Sequence, residues 1–179
     1  MAIKKSNKLV PDNDICIKGT VQLSSDKSLS IRSVLFASIA YGISHIKINN
    51  PGEDALTSIM AIKKLGIKIT QSDNQYTIYG LGIGYPSLKK RLLINCRNSG
   101  TTLRLLTPLI AGSKVNAKII GDHSLSKRPY RLEFLKEFLM NVKPTKKNFL
   151  PLMINGHTSC VKAEIKINKP SAQMVSAAT

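Results

Sequence analysis

Residues 24–32 read SSDKSLSIR, and the interpretation of the whole chain turns on how often such a stretch recurs. Hydroxylic residues lead, and then Leu29, Val34, Leu35 and Ile39 fall at helical spacing, which predicts a buried helix over residues 28–40, ended by Gly42. A strand is expected ahead of it, over 15–21. Behind it come a strand over 44–48, a turn at Asn49 to Gly52, and an amphipathic helix over 53–65 stopped by Gly66. Two short strands, over 67–70 and over 75–79 up to Gly80, close the unit.

The order then repeats. NSGTTLRLL, residues 98–106, opens a second helix over 101–111 stopped by Gly112. A strand over 117–120 follows, then a helix over 129–140 with Pro129 at its start, where the missing N–H costs nothing. Closing strands are expected at Val142 and over 151–154, with a turn at Asn155 and Gly156. A third unit begins with a strand over 163–167 and a helix from Ser171. The starts Ser28, Thr101 and Ser171 lie 73 and 70 residues apart. A period near that length marks a repeated supersecondary unit too small to bury its own faces. Three such units around an approximate three-fold axis would turn their opening helix N-termini toward one site. The third breaks off at Thr179 with an apolar helix face unmatched, so the chain is expected to be the front part of a larger fold.

Composition narrows the partners. The 179 residues carry 27 Lys+Arg against 10 Asp+Glu, a formal charge of +17. Such a field favours anions: nucleic acid, acidic lipid, or phosphorylated and carboxylated metabolites. The lysines come in scattered pairs (Lys4-Lys5, Lys63-Lys64, Lys89-Lys90, Lys146-Lys147), not as the clustered stripe of a nucleic-acid footprint, and Trp is absent. Most of this charge reads as solvated surface. Cys16, Cys96 and Cys160 match no metal or redox spacing and read as reduced thiols. No apolar segment follows the basic N-terminus as a secretory signal would require, and the apolar run over 34–40 is too short to span a bilayer.

The chemistry-bearing residues gather at the helix starts. Ser, Thr and Asn there either cap orphan backbone N–H groups or leave an anion site at the positive end of the helix. Lys27 precedes the first helix, and Arg32, four residues after Ser28, shares its face. Arg104 stands three residues past Thr101 on nearly the same face. Arg128 immediately precedes Pro129 and is expected beside the N-terminus of the next helix. Arg32 and Arg104 could instead serve surface ion pairs, but acids are scarce nearby, and Arg128 could be a solvated loop charge. Lysine offers a mobile point charge and arginine a planar fork for carboxylate or phosphate oxygens.

Together, SDKSLSIRSVLFASIAYGISHIKINNPGED (25–54), RNSGTTLRLL (97–106), GDHSLSKRPY (121–130) and KPSAQMVSA (169–177) resemble the signatures of the EPSP synthase (3-phosphoshikimate 1-carboxyvinyltransferase) family. The Ser-Ala-Gln form at 171–173 and the GED at 52–54 look like its bacterial class II branch. The resemblance implies an α/β fold: two domains, each an inside-out α/β barrel of three βαβαββ units. Residues 1–23 would give a strand to the second domain, and 24–179 would form an incomplete first domain, cut within its third unit. The implied reaction transfers the enolpyruvyl group of phosphoenolpyruvate to the 5-hydroxyl of shikimate 3-phosphate, releasing phosphate, on the shikimate route to chorismate and aromatic amino acids.

By the same resemblance Lys27 would touch both substrates and take the catalytic role within this chain. Ser28 and Arg32 would hold the shikimate moiety, Ser171 and Ala172 its 3-phosphate, and Gln173 would pack against its ring and border phosphoenolpyruvate. Gly100, Thr101 and Arg128 would line the phosphoenolpyruvate pocket, where glyphosate also sits in this family. No metal or organic cofactor is implied, nor any nucleic-acid or membrane partner. The protein would be cytoplasmic, and monomeric at full length. The acid and base would come from the second domain, so the chain alone should bind weakly and turn over nothing. Two rival readings are a basic nucleic-acid-binding module and a non-catalytic interaction domain.

Overall fold

A computed structural model describes residues 20, 23–83, 85, 86, 90–146, 148–158, 161, 164–166 and 171–178. The strand expected over 15–21 lies outside them save for Thr20, as do Cys16 and Cys160. Helix α1 runs Lys27–Ile39, started by Asp26, whose carboxylate accepts from the Leu29 N–H at 2.7 Å. It buries Val34 and Leu35 as the spacing predicts, and Ile31 beside them, while Leu29 is exposed and Ile39 half-buried. The helix stops because Ala40 turns extended. Gly42 does not end it but lies within strand β1 (Tyr41–Lys47), opposite Gly80.

Helix α2 (Glu53–Lys64) carries Glu53 and Asp54 in its first turn and Lys63 and Lys64 in its last, both favourable to the helix dipole. Gly66 follows at φ +90°, the left-handed conformation that ends many helices. Strands β2 (Ile69–Ser72) and β3 (Gln75–Leu81) complete an antiparallel sheet of order β1-β3-β2. The last runs past Gly80, where it was expected to end.

The second unit comprises β4 (Leu92–Asn95), α3 (Gly100–Ala111), β5 (Asn116–Ile120), α4 (His123–Ser126), a 3-10 helix (Glu133–Phe138), β6 (Asn141–Lys146) and β7 (Phe149–Asn155). Its sheet has the order β4-β5-β7-β6, with β4 and β5 parallel across the α3 crossover and the remaining pairs antiparallel. Strands β5, β7 and β6 thus repeat the order of β1, β3 and β2. Gly80 and Gly156 repeat one another too. A Cβ on Gly80 would overlap the carbonyls of Ala37 and Ala40 at the end of α1, and one on Gly156 those of Ile110, Ser113 and Val115 just after α3. Helix α5 (Ala172–Ala178) opens the third unit, so the opening helices start 73 and 72 residues apart.

Two expectations change. Residues 129–140 do not form one α-helix. Tyr130, Leu132 and Leu135 are buried in a segment that is irregular over 129–132 and then tightly wound over Glu133–Phe138. Arg131 at φ +57° makes the break. Residues 164–166 of the expected third-unit strand belong to no strand, and 163 and 167 lie outside the described residues. Strand β4 was not anticipated.

Burial alternates along β3, β5 and β7, whose inward residues include Ile78, Ile119 and Leu152, so each sheet turns one face to the core and one to water. The opening helix α3 is buried round most of its circumference, from Thr101 and Leu103 to Leu106 and Ile110. Helices lie inside and sheets outside. That arrangement brings α1, α3 and α5 together at their N-terminal halves.

Candidate active site

The helix caps decide which hydroxyls are free for other work. Asp26 caps α1, Ser99 caps α3 through the Thr102 N–H at 3.3 Å, and Ser171 accepts from the Met174 N–H at 3.3 Å. Capping therefore falls to Asp26, Ser99 and Ser171, leaving Ser28 and Thr101 uncommitted to it. Ser28 is exposed beside the cleft. The buried Thr101 hydroxyl accepts from Gln173 Nε2 at 2.7 Å, tying α5 to α3. Arg32 ties α5 to α1, donating to Ser176 Oγ at 2.9 Å.

A cleft of about 390 Å³ opens between these ends, lined by Ser28, Arg32, Arg104, Arg131 and Ser171 to Gln173. All three units contribute. Arg104 donates to Gln173 Oε1 at 2.9 Å, to the Pro129 carbonyl at 3.2 Å and to the Gly100 carbonyl at 3.4 Å. Burial pulls its guanidinium below the ordinary value, and the positive charges of Arg131 and Arg128 add to the pull. Three arginines line this space, and its described lining includes no carboxylate. Among the described residues neither Arg32 nor Arg104 makes an ion pair, so the surface-pair reading of these two does not hold, and Arg128 and Arg131 make none either. Uncompensated cations around a cavity are what an anion site requires.

Arg128 belongs to an adjoining network. It follows the C-terminal end of α4, not the N-terminus of a helix as expected, because residues 129–132 are not helical. Its Nη2 donates to Ser124 Oγ at 2.9 Å and Asn98 Oδ1 at 3.2 Å. Asn98 in turn donates to Asp122 Oδ2 at 2.8 Å, while Asp122 Oδ1 accepts from the Leu125 N–H at 2.7 Å. That backbone bond, with the Asn98 bond behind it, holds the Asp122 carboxyl below its usual range. The loops beneath are joined by main chain, Cys96 N–H to the Ile120 carbonyl and Asp122 N–H to the Arg97 carbonyl, each at 2.8 Å.

Lys27 is placed elsewhere. It pairs with Asp54 and borders a separate hollow of about 300 Å³ with Ser24, Ser30 and Gly52. The expected site residues thus fall into groups. Ser28, Arg32, Ser171, Ala172 and Gln173 share the cleft, and Gly100 and Thr101 touch it through Arg104 and Gln173. Arg128 lies close to Arg104 at the cleft edge, and Lys27 faces the separate hollow. A larger cavity of about 540 Å³, lined by Phe36, Leu105, Leu109 and Phe138 among others, has no charged lining and suits no polyanion.

A family model for EPSP synthase (3-phosphoshikimate 1-carboxyvinyltransferase) matches residues 13–178. The chain belongs to the EPSP synthase family. The 3-phosphoshikimate 1-carboxyvinyltransferase of Streptococcus pyogenes serotype M49 (strain NZ131) is 37% identical over 164 residues, covering 90% of this chain and 38% of that protein. A structure of EPSP synthase from Acinetobacter baumannii superposes with TM-score 0.80 at 31% identity, over 89% of this chain and 37% of that one. A second, from the same organism, gives 0.77 at 32%. The chain therefore spans under two-fifths of the length of the relatives it matches. Over that span its mixed α/β fold is that of the EPSP synthase structures.

Two residues escaped the sequence reading. Asp122 is the pivot of the Arg128 network, and only its place before a short helix signals it. Arg131 enters the cleft through a left-handed turn that a helical reading of its segment conceals. No helix among the described residues is long and apolar enough to cross a membrane, and none of their His, Cys, Asp and Glu side chains cluster in threes that could hold a metal.

Proposed function

We propose that the protein containing this chain transfers the enolpyruvyl group of phosphoenolpyruvate to the 5-hydroxyl of shikimate 3-phosphate, giving 5-enolpyruvylshikimate 3-phosphate and phosphate. The observation that carries the reading is one cleft lined by Ser28 and Arg32, Arg104, and Ser171 to Gln173, three distant stretches of a chain in the EPSP synthase family. In this reading Ser28 and Arg32 hold the shikimate moiety, Ser171 and the Ala172 backbone its phosphate, and Gln173 its ring. Phosphoenolpyruvate lies beside Gly100, Thr101 and Arg128, with Lys27 swinging from Asp54 to reach both substrates.

The chemistry suits this surface. Both substrates are polyanions, and their mutual repulsion opposes the encounter. Fixed guanidiniums offset that repulsion and hold the reacting atoms together. The hydroxyl oxygen adds to C2 of phosphoenolpyruvate while its methylene carbon takes a proton. Loss of phosphate and of that proton then restores the vinyl ether. A general acid and base are needed. No carboxylate lines the cleft among the described residues, and this reading assigns the acid and base to a second domain, to which residues 1–23 would add a strand while 24–179 build the first. With this function goes a cytoplasmic protein that acts as a monomer at full length.

Calorimetric titration with shikimate 3-phosphate tests the reading. Saturable binding, with shikimate bound far more weakly, supports it. Equal response to both, or salt-sensitive binding of nucleic acid without preference for shikimate 3-phosphate, would count against it.

A further inference from the structure

We propose that Arg131 is an additional phosphate-gripping residue of the cleft, reserved for this by a backbone turn that holds its side chain at the cleft with no partner among the described residues. The proposal rests on the shikimate 3-phosphate reading above and adds to it a residue that reading does not use.

The three guanidiniums of the cleft are not equivalent. Arg32 is engaged by Ser176, and Arg104 is spent on Gln173 Oε1 and the carbonyls of Pro129 and Gly100. Arg131 makes no hydrogen bond or ion pair among the described residues, although it lines the same space and lies close enough to Arg104 to oppose its charge. Its neighbours are fixed. Tyr130 is buried, with its N–H on the Asn148 carbonyl at 3.0 Å, and Leu132 is 1% exposed. Between two inward anchors, φ of +57° puts the Arg131 side chain on the cleft side. A branched or long side chain in that region is strained, and such strain persists where the surroundings impose it. Core packing does not need arginine there, since the side chain is exposed. A phosphate dianion needs cations with unspent donors, and a guanidinium offers two parallel N–H groups to it. Among the described residues, Arg131 is the cleft cation with no donor engaged.

Three variants of the 179-residue chain separate this from a structural role: Arg131→Gly, Arg131→Asn and Arg131→Lys. Gly and Asn accept the left-handed conformation, so the fold should hold or gain a little in thermal midpoint. Titration of each variant and the parent with shikimate 3-phosphate, with shikimate and with inorganic phosphate gives the readout. The expected result is a loss of about ten-fold or more in affinity for shikimate 3-phosphate in Arg131→Gly and Arg131→Asn, little change for shikimate, and partial recovery in Arg131→Lys. Parent and variants binding shikimate 3-phosphate alike would overturn the role of Arg131 while leaving the function standing. A parent that binds neither shikimate 3-phosphate nor phosphate would overturn both.

Discussion

Gln173 Nε2 donates to Thr101 Oγ1 across 2.7 Å, joining residues 72 positions apart at the starts of two repeated units. The orientation of the amide is dictated by its other side. Arginine has donors only, so Oε1 must face Arg104 and the NH₂ group must face the threonine. One side chain thus fixes both the entry of α5 and the aim of a cleft guanidinium.

Replacing Gln173 by Ala removes both bonds and leaves half-buried Arg104 short of an acceptor. Unfolding in urea should show a loss of about 1–3 kcal/mol, and a double-mutant cycle with Thr101→Val a coupling of about 0.5–1.5 kcal/mol. Additive effects of the two substitutions would show that the contact does not dock α5.

Gly100→Ala should leave the fold intact and disturb the cleft. The new Cβ would lie 2.9 Å from Arg104 Nη1, closer than such contacts allow, and the flexible guanidinium is what yields. Alanine also favours the helix that Gly100 begins, so stability should change by less than about 1 kcal/mol in either direction. Binding of shikimate 3-phosphate should weaken several-fold as Arg104 shifts. An unchanged affinity would mean that the Arg104 position is not critical.

Asp122 supplies an acid-side test. Its carboxyl is held low by the Leu125 N–H and then by Asn98, so its stabilising contribution is complete above the unfolded value of about 3.9 and disappears as pH falls through the lower folded value. Asp122→Asn keeps an acceptor but cannot titrate. Its thermal midpoint should be lower than the parent's near neutrality and should converge with it as pH drops below about 4. Parallel curves would remove Asp122 from the network.

The alkaline side tests burial. Cys96 is fully buried, and loss of hydration pushes its thiol up to about 12. Tyr85 is raised to about 12 by the same cause, against a smaller opposing effect of its bond to Ser38. A raised acid of this kind stabilises the fold below its unfolded value, about 8.5 for cysteine, and the benefit is lost as pH rises toward the folded value. Cys96→Ala should therefore be less stable at neutrality yet decline less between pH about 8.5 and 10.5. A decline as steep as the parent's would contradict the assignment.

How much of this could be read beforehand varies with the physics of each segment. The spacing of Ile31, Val34 and Leu35 fits a buried helix face, and the apolar run that contains them made α1 legible even though Leu29 turned out exposed. The same holds for α2 and for the alternation along β7. The segment after Arg128 misled because its apolar residues resemble a helical pattern, whereas the left-handed backbone at Arg131 interrupts one. Hydroxyls at helix starts were visible as a class, but which of them cap was not. Asp26 and Ser99 take that work because they stand immediately before the first helical residue, and Ser28 and Thr101 stand after it. Contacts such as Arg104 with Gln173 join distant stretches and leave no local signature. The membership of Arg131 in the cleft was hidden for the same reason, and for its backbone.

The central claim, that three separated chain starts form one anion site, is tested most directly by an NMR titration of the labelled chain with shikimate 3-phosphate. The account predicts saturating shifts, with a common dissociation constant, at Ser28 and Arg32, at Arg104 and Arg131, and at Ser171 to Gln173. Shifts confined to one stretch, or scattered over surface lysines without saturation, would contradict it.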